Sequence, residues 1–123
     1  MWRHWYVMLL RRRSVTDIEH LNINKIKTFS AEKRIRKKIV GSEKIVAELI
    51  CYEPGQATPQ HVHPKQDEIF HIIEGKGIMV VEDEDIPVGP SSVILVPSKV
   101  RHGIKTFKDS RLVIMFTKAP VST

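Results

Sequence analysis

Residues 61–75 read HVHPKQDEIFHIIEG, two histidines two positions apart, then a carboxylate pair, then an apolar run closed by glycine. On a strand, side chains alternate between faces, so His61 and His63 leave on one side while Val62 points away. Two neutral imidazoles converging in this way suit a divalent metal, which needs nitrogen lone pairs held in preset geometry. Pro64 stops the strand, Lys65-Gln66-Asp67 turns the chain, and Glu68 opens the next strand, so a hairpin lays Glu68 beside the histidines. Two histidines and one carboxylate form the facial set favoured by non-haem Fe(II), which also accepts Mn, Co, Ni or Zn.

The strand EIFHII sorts the remaining candidates. Glu68, Phe70 and Ile72 share one face, and Ile69, His71 and Ile73 the other. If Glu68 looks into a barrel, Phe70 and Ile72 line its wall and His71 points outward, outside the site. His4 and His20 lie in the leader without partners and are set aside. Cys51 shares an alternating face with Ala47 and Leu49 and reads as a buried apolar thiol. No Ser-His-Asp set, Gly-rich phosphate loop or CxxC pair is recognisable. The acidic run Glu82–Asp85 reads as a solvated hairpin tip.

These residues need strands to hold them, and the chain supplies them. From Ile35 onwards, β-branched segments alternate with turns: 35–40, 44–53, 68–73, 75–81, 93–97, 102–107 and 111–116, with IPV between the acidic run and GPSS. PGQATPQ (54–60) reads as a turn region. Eight or so short strands with turns every eight to twelve residues predict an all-β sandwich or barrel. Only residues 14–34 have room for a helix. At 123 residues the chain forms one core, divided here into an N-terminal arm at 1–34, exchanged with a second subunit or partly disordered, and a barrel at 35–120.

The charge is uneven. Residues 1–50 carry 12 Lys/Arg against 5 Asp/Glu, whereas residues 51–123 carry 8 against 9. Arg11-Arg12-Arg13 and Lys33 to Lys38 could contact phosphates, but without a nucleic-acid motif a basic tail and a solvated strand face are the simpler reading. The apolar run Trp5–Leu10 is shorter than a signal-peptide core and precedes its arginines instead of following them, and Met8 is an alternative start. It is too short to span a bilayer. The single Cys51 excludes an internal disulfide and fits a reducing, cytoplasmic setting.

Gly55, His61, His63, Glu68 and Gly75, with five, one, four and six residues between them, reproduce the first signature motif of the cupins, a pattern expected by chance on the order of once in 10⁶–10⁷ windows. Pro97 and His102 keep the proline-to-histidine spacing of the second motif, whereas its glycines fall on Ser91 and Lys99 and its closing asparagine on Thr106. The resemblance covers residues 35–117. It implies the double-stranded β-helix, or jelly-roll barrel, with a short N-terminal extension. It further implies one divalent transition metal on His61, His63, Glu68 and His102, and a homodimer. The alternation of HGIKTF agrees, with His102, Ile104 and Thr106 on one face. A shorter spacing that the family tolerates would put Asp67 in the place of Glu68.

The function implied is a metal-dependent enzyme on a small organic substrate, an oxygenase first and an isomerase or decarboxylase second. Phe70, Ile72 and Ile104 would form the substrate wall, and Glu68 is a possible base, although no catalytic residue is fixed. Arg101 could meet a carboxylate at the mouth, though simple exposure fits it better. The alternative is a binding or sensing module in which the metal anchors a ligand without turnover.

Overall fold

The computed structural model describes residues 18–121, so the leader features from His4 to Arg13 lie outside the described residues. Nine strands follow one another among the described residues: β1 (Ile35–Gly41), β2 (Val46–Tyr52), β3 (Ala57–His61), β4 (Asp67–Glu74), β5 (Gly77–Val81), β6 (Glu84–Val88), β7 (Val93–Val96), β8 (His102–Thr106) and β9 (Leu112–Ala119). They pair antiparallel into a five-stranded sheet, order β1-β2-β9-β4-β7, and a four-stranded sheet, order β3-β8-β5-β6. This is the all-β sandwich that the turn spacing predicts, in the jelly-roll form that the family resemblance implies.

Two apolar layers hold it together. Between the sheets, Ile50, Tyr52, Phe70, Ile72, Met79, Ile104, Leu112, Ile114 and Phe116 form the main core. Phe70 and Phe116 stack with ring centres 5.3 Å apart. A second cluster, Ile39, Ala47, Leu49, Cys51 and Val113, lies on the outer face of β1, β2 and β9. Leu21, Ile23, Ile26 and Phe29 cover it. A single-turn helix α1 (Ile23–Ile26), capped by the Asn22 side chain, places the two isoleucines of that cover. Every residue of β2 is therefore buried, and a strand buried on both faces loses the clean alternation that one wet face would impose. Cys51 sits in this outer layer, as its neighbours Ala47 and Leu49 suggest.

The turns that close the barrel are specific. Gly75 has φ 84°, and a Cβ there would fall 1.8 Å from the Arg111 carbonyl oxygen, so no other residue fits without backbone movement. The acidic run does not all belong to a hairpin tip. Glu84 and Asp85 begin β6, and only Glu82 and Asp83 form the turn, both at positive φ as a tight hairpin demands. That tip is tied down: Glu82 accepts the Arg101 backbone amide, and Asp83 accepts the Gln60 amide and the Arg101 guanidinium. The segment 54–60, read as a turn region, also supplies β3 from Ala57 onward, on the end of the four-stranded sheet.

Candidate metal centre

Three strands and one loop bring four chemically competent side chains together at one end of the barrel. His61 ends β3 and pairs in register with His102, the first residue of β8. Register shifts between Thr58 and His61, so three residues of β3 span two of β8. This bulge turns His61 to the inner side with Thr58, where strict alternation would oppose them. Gly103 makes room for it: a Cβ at Gly103 would meet the Thr58 carbonyl oxygen at 2.6 Å and the Gln60 amide nitrogen at 2.8 Å. The strand stops at His61, so His63 belongs to the following loop instead of sharing the strand. The two imidazoles still converge, with Nε2 atoms 3.1 Å apart.

That separation carries chemical information. Two nitrogens each about 2.1 Å from one ion at a right angle would lie about 3 Å apart. His61, His63 and His102 offer ring nitrogens that all lie within 4.8 Å of one another, a grouping able to hold a metal ion. The Nδ1 atoms of His61 and His102 lie 3.0 and 2.9 Å from the carbonyl oxygens of Pro59 and Val100. A carbonyl only accepts, so Nδ1 carries the proton and the Nε2 lone pair is left facing inward, the orientation metal-bound histidines adopt.

Glu68, on β4, is 2 % exposed and faces this group. Its Oε1 lies 2.8 Å from His102 Nε2 and its Oε2 lies 3.5 Å from His63 Nε2. Glu68 Oε1 and His102 Nε2 are buried without a hydrogen-bond partner. With the His102 proton on Nδ1, two acceptors face each other, and only a cation between them, or a proton, resolves the contact. Burial disfavours the imidazolium of His102, but the Glu68 carboxylate and the Val100 carbonyl outweigh it and hold the pKa above the ordinary value. His63 moves the other way, because burial and the neighbouring His61 and His102 outweigh the pull of Glu68. The donor set thus fits a divalent metal, because its own buried atoms are left unsatisfied without one.

Asp67 takes no part. It lies on the opposite face of β4, exposed, and its Oδ1 accepts the Ser98 amide at 2.8 Å. His71 is likewise on the far face with Ile69, and His20 is exposed. Phe70 and Ile104 line the cavity beside the histidines, together with Ile50, Thr58 and Phe116. Ile72 does not. It lies two residues deeper along β4, packed in the main core, too far from the mouth to form a substrate wall. Arg101 pairs with Asp83 on the hairpin tip, away from the cavity. The arginines on the wall are Arg34 and Arg36, which sequence reasoning assigned to a solvated face. Arg36 shares the inner face with its register partner Ile50, a signal that needs the β1–β2 pairing to be read.

The cations of residues 33–38 are largely engaged within the chain. Arg36 Nε donates to Glu48 at 2.6 Å, Lys37 to the Ile26 carbonyl and Thr28 hydroxyl, and Arg34 to the Ala57 carbonyl. Among the described residues, no helix is long and apolar enough to cross a membrane.

The positions where the second motif lacks its glycines keep the glycine conformation. Ser91 and Lys99 have φ of 72° and 73°. The backbone there is held by the Ser91 amide donating to the Ile72 carbonyl and the Lys99 amide to the His63 carbonyl, which outweighs the strain of a left-handed side-chain-bearing residue.

Comparison with known proteins agrees with this fold. The family described as "Cupin domain" matches residues 48–117. Polyketide synthase CurC of Streptomyces cyaneus is 21% identical over 111 residues, covering 90% of this chain and 72% of that protein. An uncharacterized protein of Methanocaldococcus jannaschii is 31% identical over 80 residues, covering 65% of this chain but only 63% of its own length. Among solved structures, TT1209 from Thermus thermophilus superposes with a TM-score of 0.78 at 24% identity, covering 84% of this chain and 98% of that one. An RmlC-like cupin from Desulfovibrio desulfuricans gives 0.76 at 23%, covering 84% and 97%. At these identities the structures speak for the fold alone.

Proposed function

The chain belongs to the cupin family, and from that premise we propose that it is a metal-dependent enzyme, dioxygenase-like, acting on a small organic molecule at the barrel mouth. His61, His63, Glu68 and His102 hold one divalent transition metal, Fe, Mn, Ni, Co or Zn. The observation that carries this reading is the unsatisfied pair Glu68 Oε1 and His102 Nε2, 2.8 Å apart and buried. Evolved interiors rarely leave two acceptors facing each other, because each forfeits solvation worth about 1–3 kcal/mol.

When bound, the metal supplies a Lewis acid and open positions for substrate or dioxygen. The chain supplies the rest. Pro59 and Val100 carbonyls fix the tautomers of His61 and His102. Phe70, Ile104 and Phe116 keep the inner wall apolar and exclude water. His61 is exposed while His102 is buried, so substrate approaches from the His61 side. Among the described residues Glu68 is the one carboxylate on the cavity wall, and it serves as base if it loosens from the metal. A homodimer and a cytoplasmic setting, the latter argued from the lone Cys51, complete the proposal.

That same scarcity favours a second reading, a binding or sensing module. With Glu68 and the histidines committed to the metal, no other described acid or base lines the cavity except its two arginines. The isomerase and decarboxylase readings need such a group, so oxygen chemistry stays ahead of them. The reconstituted protein is tested by oxygen uptake with Fe(II) or Mn(II) against phenols, thiols and keto acids. Uptake that requires both metal and one substrate class supports the enzyme. Tight metal binding with no consumption of oxygen or substrate moves the assignment to the binding module.

A further inference from the structure

We infer that Arg34 anchors a substrate carboxylate, so that the site takes a small organic acid. The inference rests on the metal-centre reading above and names the substrate class of that site. Arg34 and Arg36 both line the cavity that holds the histidines. They also line an open cleft of about 370 Å³ outside it, with Lys33. The two arginines are not equivalent. Arg36 already has its charge paired, its Nε donating to Glu48 at 2.6 Å and its guanidinium lying over the Phe116 ring at 5.4 Å, whereas Arg34 meets no carboxylate among the described residues. Arg34 makes one hydrogen bond among the described residues, from Nη1 to the Ala57 carbonyl at 3.0 Å. A guanidinium has five N–H donors in a planar fork. The Ala57 bond therefore aims the group while leaving enough donors for a bidentate partner.

Charge points the same way. Among the described residues the only carboxylate on the cavity wall is Glu68, turned to His63 and His102. Glu48 is taken by Arg36 and Lys118. A divalent ion, one carboxylate and Arg34 leave the mouth with a surplus of about two positive charges, which an anionic ligand offsets. The inner chamber measures about 30 Å³, room for roughly two water-sized groups. A short acid fits this layout, its apolar end between Phe70 and Ile104 or at the metal, and its carboxylate on the weakly hydrated fork of Arg34 at the open side.

The test uses butyrate and its neutral isostere butyramide, titrated by ligand-observed NMR into metal-loaded and metal-free protein, with Arg34→Met and Arg34→Lys beside the wild type. Metal content and melting temperature are recorded for each. The wild type prefers butyrate by about tenfold or more. Arg34→Met loses that preference with metal content unchanged, and Arg34→Lys restores part of it. A variant that weakens butyrate and butyramide alike shows a merely structural Arg34 and overturns the inference. So does Arg34→Met that binds butyrate as the wild type does, which would place the carboxylate on the metal. The preference is also read in the metal-free form, so a failure of the metal centre and a failure of Arg34 give different results.

Discussion

Two carboxylates are buried on the inner side of the five-stranded sheet, and they are managed in opposite ways. Glu48, 8 % exposed, has each oxygen on a cation: Oε1 meets Arg36 Nε at 2.6 Å and Oε2 meets Lys118 Nζ at 3.0 Å. Both cations also lie near the Phe116 ring, at 5.4 and 5.8 Å. Burial alone would raise the Glu48 pKa, but Arg36 and Lys118 together hold it below the ordinary carboxylate value. Glu68, 2 % exposed, faces the Nε2 atoms of His63 and His102, and the Nδ1 contact of His102 with the Val100 carbonyl turns the lone pair of that ring toward it. One carboxylate belongs to a closed ion cluster that needs nothing further. The other belongs to a cluster whose hydrogen bonding closes around a bound cation or an added proton. That contrast separates a structural polar group from a functional one more clearly than burial does.

The comparison can be broken in several ways, taken in decreasing order of effect. Stripping metal with a chelator should lower the unfolding free energy by about 4 kcal/mol if free metal stands at about a thousand times Kd, read from denaturant melts before and after. Glu48→Gln should destabilise the fold by about 2–3 kcal/mol, less than a fully buried pair because Arg36 is half exposed, and should leave metal content untouched. Glu68→Gln should do the reverse. It loses metal, yet the metal-free variant at pH 8 should match or exceed the wild type by about 1 kcal/mol, since an amide can donate to His102 Nε2.

Acid should expose the difference as well. Because the folded pKa of Glu48 is depressed, its stabilisation is complete above the ordinary value of 4.5 and is lost as pH falls through the folded value. The stability gap between wild type and Glu48→Gln should therefore close from about pH 5 downward, as pH falls through that depressed value. His102 has the opposite sign. Its raised pKa stabilises the metal-free fold below the ordinary 6.5, and that contribution disappears as pH rises through the folded value. The smallest effect is expected at Lys99. Lys99→Gly removes a left-handed strain of about 1–2 kcal/mol and adds unfolded-state entropy of about 0.4–1, for a net gain of about 0.5–1 kcal/mol in thermal unfolding.

Local alternation made much of this legible from the residues alone. It placed Glu68 and Phe70 inward and His71 outward, because one strand face meets the core and the period is two. It put Cys51 with Ala47 and Leu49. It failed where long-range pairing decides. The bulge that turns His61 inward depends on β3 lying against β8 and on Gly103 beside it, neither visible in residues 54–60. Arg34 and Arg36 read as solvated charges, since Arg36 is revealed as inward only by the β1–β2 register and Arg34, just ahead of β1, only by its bond to the Ala57 carbonyl. Ile72 looked equivalent to Phe70 by alternation, but depth along the strand separates wall from core. Ser91 and Lys99 looked like departures from a motif, whereas the backbone keeps the same left-handed turns and tolerates the side chains.

The central claim is that the Glu68 cluster is a metal centre and the Glu48 cluster is not. Elemental analysis of the purified protein tests it most directly, with Glu48→Gln and His102→Ala measured alongside and folding checked by circular dichroism. The account predicts about one divalent transition metal per chain in the wild type and in Glu48→Gln, and less than about a tenth of that in folded His102→Ala. Wild-type protein that is folded, incubated with Fe(II), Mn(II), Ni(II), Co(II) and Zn(II) in turn, and still metal-free after desalting would contradict it.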